Sequence, residues 1–133
     1  MLPDDDFASV RRVLLVDAIT CTAAGALMTC ATGPVAQLTH LPDPLLRIAG
    51  LALFPVAALF AWMAVSVPFR RPLLRVAVLG NAAWVAASLA VLAMTSPSAL
   101  GYVFVLAQAA AVTLLAALEA RALNTPIGLA DRG

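Results

Sequence analysis

The side chains able to do chemistry are few, and the most informative of them stand inside long apolar segments. Asp17 lies five residues after Arg12, and Asn81 lies six residues after Arg75. A carboxylate at the centre of a bilayer costs roughly 2.5–3.5 kcal/mol, so Asp17 needs a polar partner or water. Five residues of helix rise about 7–8 Å, which puts Asp17 and Asn81 at similar shallow depths. We therefore predict a hydrogen bond between their side chains.

Small and polar residues extend this pattern along the first and third apolar segments. Thr20 follows Asp17 at helical spacing, and Trp84 and Ser88 follow Asn81 in the same way. Helices in lipid associate through small residues and hydroxyl groups, because lipid supplies no hydrophobic drive for their assembly. We expect these two helix faces to meet each other or the fourth segment.

The fourth apolar segment carries Gln108 near its middle and Glu119 at one end. Their eleven-residue spacing places them on one helix face. Gln108 needs an internal partner, which is either another helix or a substrate or ion. Glu119, two residues before Arg121, is expected in the headgroup region with that arginine balancing its charge. The candidate intramembrane polar cluster therefore consists of Asp17, Thr20, Asn81, Trp84, Ser88 and Gln108.

No pattern of catalytic or metal-binding residues is visible. Cys21 and Cys30 are about 13 Å apart along one helix and point to opposite sides, so they cannot bridge each other and are interpreted as small apolar fillers. His40 is the only histidine. Glycine-rich phosphate loops and nucleophile turns are absent from the sequence. We predict a protein that is not an enzyme, with no catalytic, metal-binding or cofactor-binding residues and no cofactor.

The elements that must position these residues are membrane-spanning helices. The 133 residues are 63% hydrophobic and only 11% charged, with a mean hydropathy of +1.00, which is too apolar for a soluble domain. Apolar runs at about 13–35, 45–67, 73–94 and 100–118 each approach the 20 residues that cross a bilayer. The segments between them are short and contain proline. We predict one domain, residues 1–133, folded as an all-α transmembrane up-down four-helix bundle.

The arginines predict the orientation of this bundle. Seven arginines belong to one side and only Arg47 to the other, so the positive-inside rule places both termini in the cytoplasm. The seven are Arg11, Arg12, Arg70, Arg71, Arg75, Arg121 and Arg132. Abundant alanine and the absence of lysine favour a bacterial source, and hence the inner (cytoplasmic) membrane. The net charge of +1 without a basic stripe excludes nucleic acid as a partner.

Two stretches resemble a group of small, uncharacterised bacterial integral membrane proteins with four spans. They are residues 81–88, with an Asn and Trp motif, and residues 99–108, with a Gly, aromatic and Gln motif. Asp17 and Gly25 in the first span fit the same pattern. Ala87 departs from it, because an acidic residue often stands before the serine in that group. The resemblance implies the topology and no reaction.

Two functions are consistent with these observations. The leading hypothesis is a non-catalytic accessory or interaction subunit, which associates with another membrane protein through small-residue faces. The alternative is a small carrier or channel with a polar path through Asp17, Asn81 and Gln108, to whose cavity a bend at Pro55 would contribute. Four helices offer little interior room, so a carrier would be expected to form homo-oligomers.

Overall fold

Long apolar helices make up most of the chain. The computed structural model describes residues 3–66 and 70–124, which form five helices: α1 (Pro3–Cys30), α2 (Thr32–Thr39), α3 (Asp43–Val65), α4 (Arg71–Met94) and α5 (Ala99–Asn124). All except α2 are long and apolar enough to cross a membrane. The predicted all-α fold with four membrane-spanning helices is confirmed, and the chain is a multi-pass integral membrane protein.

The first span ends earlier than the sequence predicts. α1 stops at Cys30, Ala31 leaves the helical conformation, and α2 begins at Thr32, whereas the predicted span continues to residue 35. Pro34 explains the break, because its ring would collide with the carbonyl group of Cys30 in a continuous helix. α2 also extends to Thr39, so part of the predicted connection is helical. The last residue of the second predicted span, Val67, lies outside the described residues.

The helices pair into two hairpins. α1 packs along α3, with α2 between them in the chain, and these three helices form the first hairpin. α4 packs along α5 and forms the second hairpin. The hairpins meet where α1 and α2 contact α5, whereas α3 and α4 do not lie side by side over the described residues. Consecutive spans are therefore neighbours within each hairpin, as predicted, but not between them.

The first hairpin is closest where two glycines face each other. A Cβ atom on Gly25 would lie 2.9 Å from the carbonyl oxygen of Gly50, and one on Gly50 would lie 2.9 Å from the Met28 Cβ and the Thr29 Cγ2. Only glycine permits such a close backbone approach without a shift. The small-residue face of α1 is thus used inside the molecule.

Arg11 fixes one end of the first hairpin. Its guanidinium group donates hydrogen bonds to the carbonyl oxygens of Ala64, at 2.6 Å, and Ser66, at 2.7 Å. The last carbonyl groups of a helix have no partner within the helix, and a cation there is favourable. This end, where α1 and α4 begin and α3 and α5 finish, is called the arginine-rich end below. Of the seven arginines assigned to it, only Arg132 lies outside the described residues.

A second set of contacts joins the two hairpins at the opposite end. The Ser98 amide donates to the Thr39 carbonyl oxygen at 2.9 Å, and the Ser98 hydroxyl donates to the Leu38 carbonyl oxygen at 2.6 Å. Gly101 lies so close that a Cβ atom there would collide with the Thr39 carbonyl oxygen. We call this contact between the C-terminus of α2 and the start of α5 the α2–α5 clasp.

Candidate functional site

Asp17 of α1, Asn81 of α4 and Glu119 of α5 meet in the interior near the arginine-rich end. The Asn81 Nδ2 donates to the Asp17 Oδ2 at 2.8 Å and to the Glu119 Oε2 at 3.1 Å. The Cys21 thiol, one turn after Asp17 on α1, lies 3.5 Å from the Asp17 Oδ1 and donates to it. These four residues are the acidic cluster. The hydrogen bond predicted between Asp17 and Asn81 is present, and Cys21 is more than an apolar filler.

The prediction for Glu119 was wrong. Its side chain has no solvent-exposed area and contacts Asn81, whereas the sequence placed it among the headgroups beside Arg121. The nearby arginine is an unreliable guide, because two residues on a helix point about 200 degrees apart. The eleven-residue spacing from Gln108 was the better signal, since it puts Glu119 on the inward face of α5.

A second polar group joins α4 to α5 nearer the middle of the bundle. The Trp84 indole nitrogen donates to the Gln108 Oε1 at 2.7 Å, and the Gln108 Nε2 donates to the Ser88 hydroxyl at 2.9 Å. Ser88 in turn donates to the Trp84 carbonyl oxygen at 2.8 Å. We call these three residues the neutral cluster. Both atoms of the Gln108 amide are satisfied within it, so Gln108 has the internal partner that the sequence requires.

Four other residues singled out in the sequence lie outside the two clusters. The Thr20 hydroxyl donates to the Asp17 carbonyl oxygen of its own helix at 2.9 Å, and its side chain is exposed. Cys30 is a free, exposed thiol. Pro55 is exposed within a helix that remains continuous through it. His40 ends α2 in a left-handed conformation at the end opposite the arginines.

A cavity of about 240 Å³ lies between the hairpins, walled by all four long helices. Asp17, Asn81 and Gln108 lie on its wall, as do Trp84 and Phe60. Aliphatic side chains form most of the remaining surface. This volume corresponds to roughly eight water molecules, which is room for a small organic ligand.

The cavity is not sealed on the side of α4. Its lining residues Val76 and Gly80 are exposed, and a Cβ on Gly80 would have no described atom within 4 Å apart from those of its chain neighbours and of its own helix backbone. Because these residues belong to a membrane-spanning helix, the opening faces the bilayer. A ligand soluble in lipid would have direct access to the site.

The acidic cluster differs from an ordinary buried ion pair. An amide and a thiol are the side-chain donors to its carboxyl groups, and no arginine of the described residues is among them. The Glu119 Oε1 is buried without a hydrogen-bond partner among the described residues. Buried carboxylates normally have a cation, a proton or several hydrogen bonds. The arrangement is thus suited to bind a positive charge.

No protein-family model, curated protein or solved structure matches the chain. The resemblance to small bacterial four-span proteins stays a prediction. The geometry described above therefore has to carry the functional argument.

Proposed function

We propose that the protein is a small membrane carrier that binds a compact organic cation in the cavity between its hairpins. The observation that carries this proposal is that Asp17, Asn81 and Gln108, from three different helices, lie on the wall of one cavity. These are the residues of the polar path that the sequence suggests. They surround a space large enough for a ligand, and a purely structural hydrogen-bond network would not require such a space.

The chemistry of the wall selects the class of ligand. A carboxyl group without a basic partner attracts a cation, and the aromatic faces of Trp84 and Phe60 bind the same charge through their quadrupoles. The predominantly aliphatic surface favours a ligand with an apolar body. The opening toward the bilayer also favours a ligand that partitions into lipid. Small aromatic ammonium compounds combine these properties.

The proposed setting is the cytoplasmic membrane of a bacterium, with both termini in the cytoplasm. Support comes from the arginines at one end of the helices, which the positive-inside rule assigns to the cytoplasm. The acidic cluster then lies in the cytoplasmic half of the membrane, and the cavity extends from it to the middle of the bilayer.

The test is binding of benzyltrimethylammonium to the purified protein, compared with neopentylbenzene, which has the same shape and no charge. We expect saturable binding of the cation alone, with affinity reduced at least about tenfold in Asp17→Asn, a loss of about 1.4 kcal/mol. Asp43→Asn is the matched control, because Asp43 is exposed at the start of α3. Equal binding of the neutral compound, or no binding by the native chain, would exclude the proposal.

Transport is measured separately in proteoliposomes. Labelled benzyltrimethylammonium should enter vesicles that contain the native protein and should not enter those that contain Asp17→Asn. Binding without uptake would exclude transport and leave the protein as a cation-binding membrane protein.

An accessory subunit is the second candidate, and one surface favours it. Gly80, Ala83, Ala87 and Ala90 form an exposed stripe of small residues along α4. Such stripes allow close approach of another membrane helix. Extraction of native membranes in a lipid-preserving polymer, followed by mass determination, tests this function. A stoichiometric second protein that is lost in Ala87→Phe would establish the accessory role, whereas a lone chain or homo-oligomer would favour the carrier.

A further inference from the structure

The acidic cluster holds two carboxyl groups against a single amide. Asp17 and Glu119 are both fully buried, and both accept a hydrogen bond from the same nitrogen, the Asn81 Nδ2. The Glu119 Oε1 is also buried and has no hydrogen-bond partner among the described residues. One amide group cannot neutralise two negative charges, so the cluster as built lacks one positive charge or one proton.

The helices around the cluster do not supply this charge from the described residues. α1 contributes Asp17 and the Cys21 thiol, α5 contributes Glu119, α4 contributes the neutral Asn81, and α3 contributes apolar side chains. Arg11, on the same helix as Asp17, directs its guanidinium group to carbonyl oxygens at the end of α3. Arg75 and Arg121 have exposed side chains.

We propose that Asp17 and Glu119 bind one proton between them, and that a cation in the cavity displaces it. Two like charges side by side in a medium of low dielectric constant repel strongly, so such pairs share one proton rather than ionise together. The proton makes one carboxyl group a donor and leaves the pair with a single negative charge. A proton fits this site, because both carboxyl groups accept from the same nitrogen and lie close enough to each other to share it.

The displacement step rests on the proposed function. Asp17 belongs to both the cavity wall and the acidic cluster, so a cation beside it replaces the charge that the proton supplied. One cation enters and one proton leaves the pair, and the net charge of the site is unchanged. The protein would therefore exchange its substrate for a proton, one for one.

The first experiment uses infrared spectroscopy on the ligand-free protein in lipid near neutral pH. The native chain should show a carbonyl-stretch band of a protonated carboxyl group, because carboxyl groups in contact with water are ionised at this pH and give no such band. The double variant Asp17→Asn/Glu119→Gln should lose the band, and Asp43→Asn should keep it. A native chain without the band would overturn the shared proton. So would a band that persists in the double variant. The amide replacements keep the size of the side chains, and the result for the native chain does not depend on any variant.

The second experiment counts protons released when benzyltrimethylammonium binds in weak buffer. One proton per bound cation is expected, with no release on addition of neopentylbenzene. Binding without proton release would overturn the displacement and leave the carrier proposal intact. A native chain that shows the protonated carboxyl band but binds no cation would give the opposite result. The shared proton would then be supported, and the proposed function as a cation carrier would be excluded.

Discussion

The contact between the two helices of the first hairpin differs in kind from the contact between the two helices of the second. In the first hairpin, α1 and α3 approach through Gly25 and Gly50, where the absence of side chains lets the backbones touch. In the second, α4 and α5 are joined by the neutral cluster and by the hydrogen bond from Asn81 to Glu119. The first hairpin is therefore close-packed along this contact, whereas the second is joined by polar side chains.

This difference explains where a ligand site can exist. The first hairpin presents one carboxyl group, Asp17, to the polar face of the second hairpin, and the cavity lies at that junction. Close packing of backbones leaves no volume, while hydrogen bonds between long side chains hold helices at a distance. Substitutions should therefore have different consequences in each hairpin and at the junction between them.

The largest effect is expected at the junction. Asn81→Leu removes the amide that donates to both carboxyl groups and should lower the free energy of unfolding by about 3 kcal/mol, because buried polar groups are left without partners. Unfolding in mixed detergent micelles measures the loss. Ala82→Leu, at the exposed neighbouring position, is the control and should be nearly neutral. An Asn81→Leu protein as stable as this control would mean that the acidic cluster does not join the hairpins.

The close contact of the first hairpin gives the next largest effect. Gly25→Ala places a methyl group 2.9 Å from the Gly50 carbonyl oxygen, and the two backbones must separate. We expect a loss of about 2 kcal/mol, in the range of overpacked cores. The same exchange at Gly80, which has open space around it, should be neutral or stabilising, since alanine favours the helix. Equal stabilities of the two variants would contradict close packing in the first hairpin.

A smaller effect is expected in the second hairpin. Gln108→Leu leaves the Trp84 indole and the Ser88 hydroxyl without their partner and should cost about 1 kcal/mol, a typical value for hydrogen bonds between membrane helices. The loss is measured in the same micelles, with Ala107→Leu at an exposed position as the control. Trp84 fluorescence should also shift as its hydrogen bond disappears. An unchanged spectrum would argue against the neutral cluster.

The smallest effect on stability is expected for Glu119→Gln. The amide keeps the size of the side chain and its oxygen can still accept the hydrogen bond from Asn81, so the free energy of unfolding should change by less than about 0.5 kcal/mol. Proton release on binding of benzyltrimethylammonium should nevertheless disappear. A large loss of stability would show that Glu119 is needed for folding, contrary to its assignment as a proton-binding residue.

Much of the fold was accessible from the sequence, because apolar length determines the spans and arginine spacing determines depth. The depths of Asp17 and Asn81 were sufficient to predict their hydrogen bond, since both helices run in the same direction from the arginine-rich end. The environment of Glu119 was predicted wrongly, because the face that α5 directs to the interior depends on how it packs against the neighbouring helices. The lack of side-by-side packing between α3 and α4 over the described residues was also missed. A short connection predicts adjacent helix ends but does not determine the contact along their lengths.

The α2–α5 clasp has a mechanical consequence. It ties the hairpins together at the end opposite the arginines, through Ser98 and the last residues of α2. If the hairpins rock apart during a transport cycle, the clasp acts as the fulcrum, and displacement grows with distance from it. The acidic cluster lies far from the clasp, near the arginine-rich end, so a small change in the tilt between the hairpins would separate its residues by a large distance.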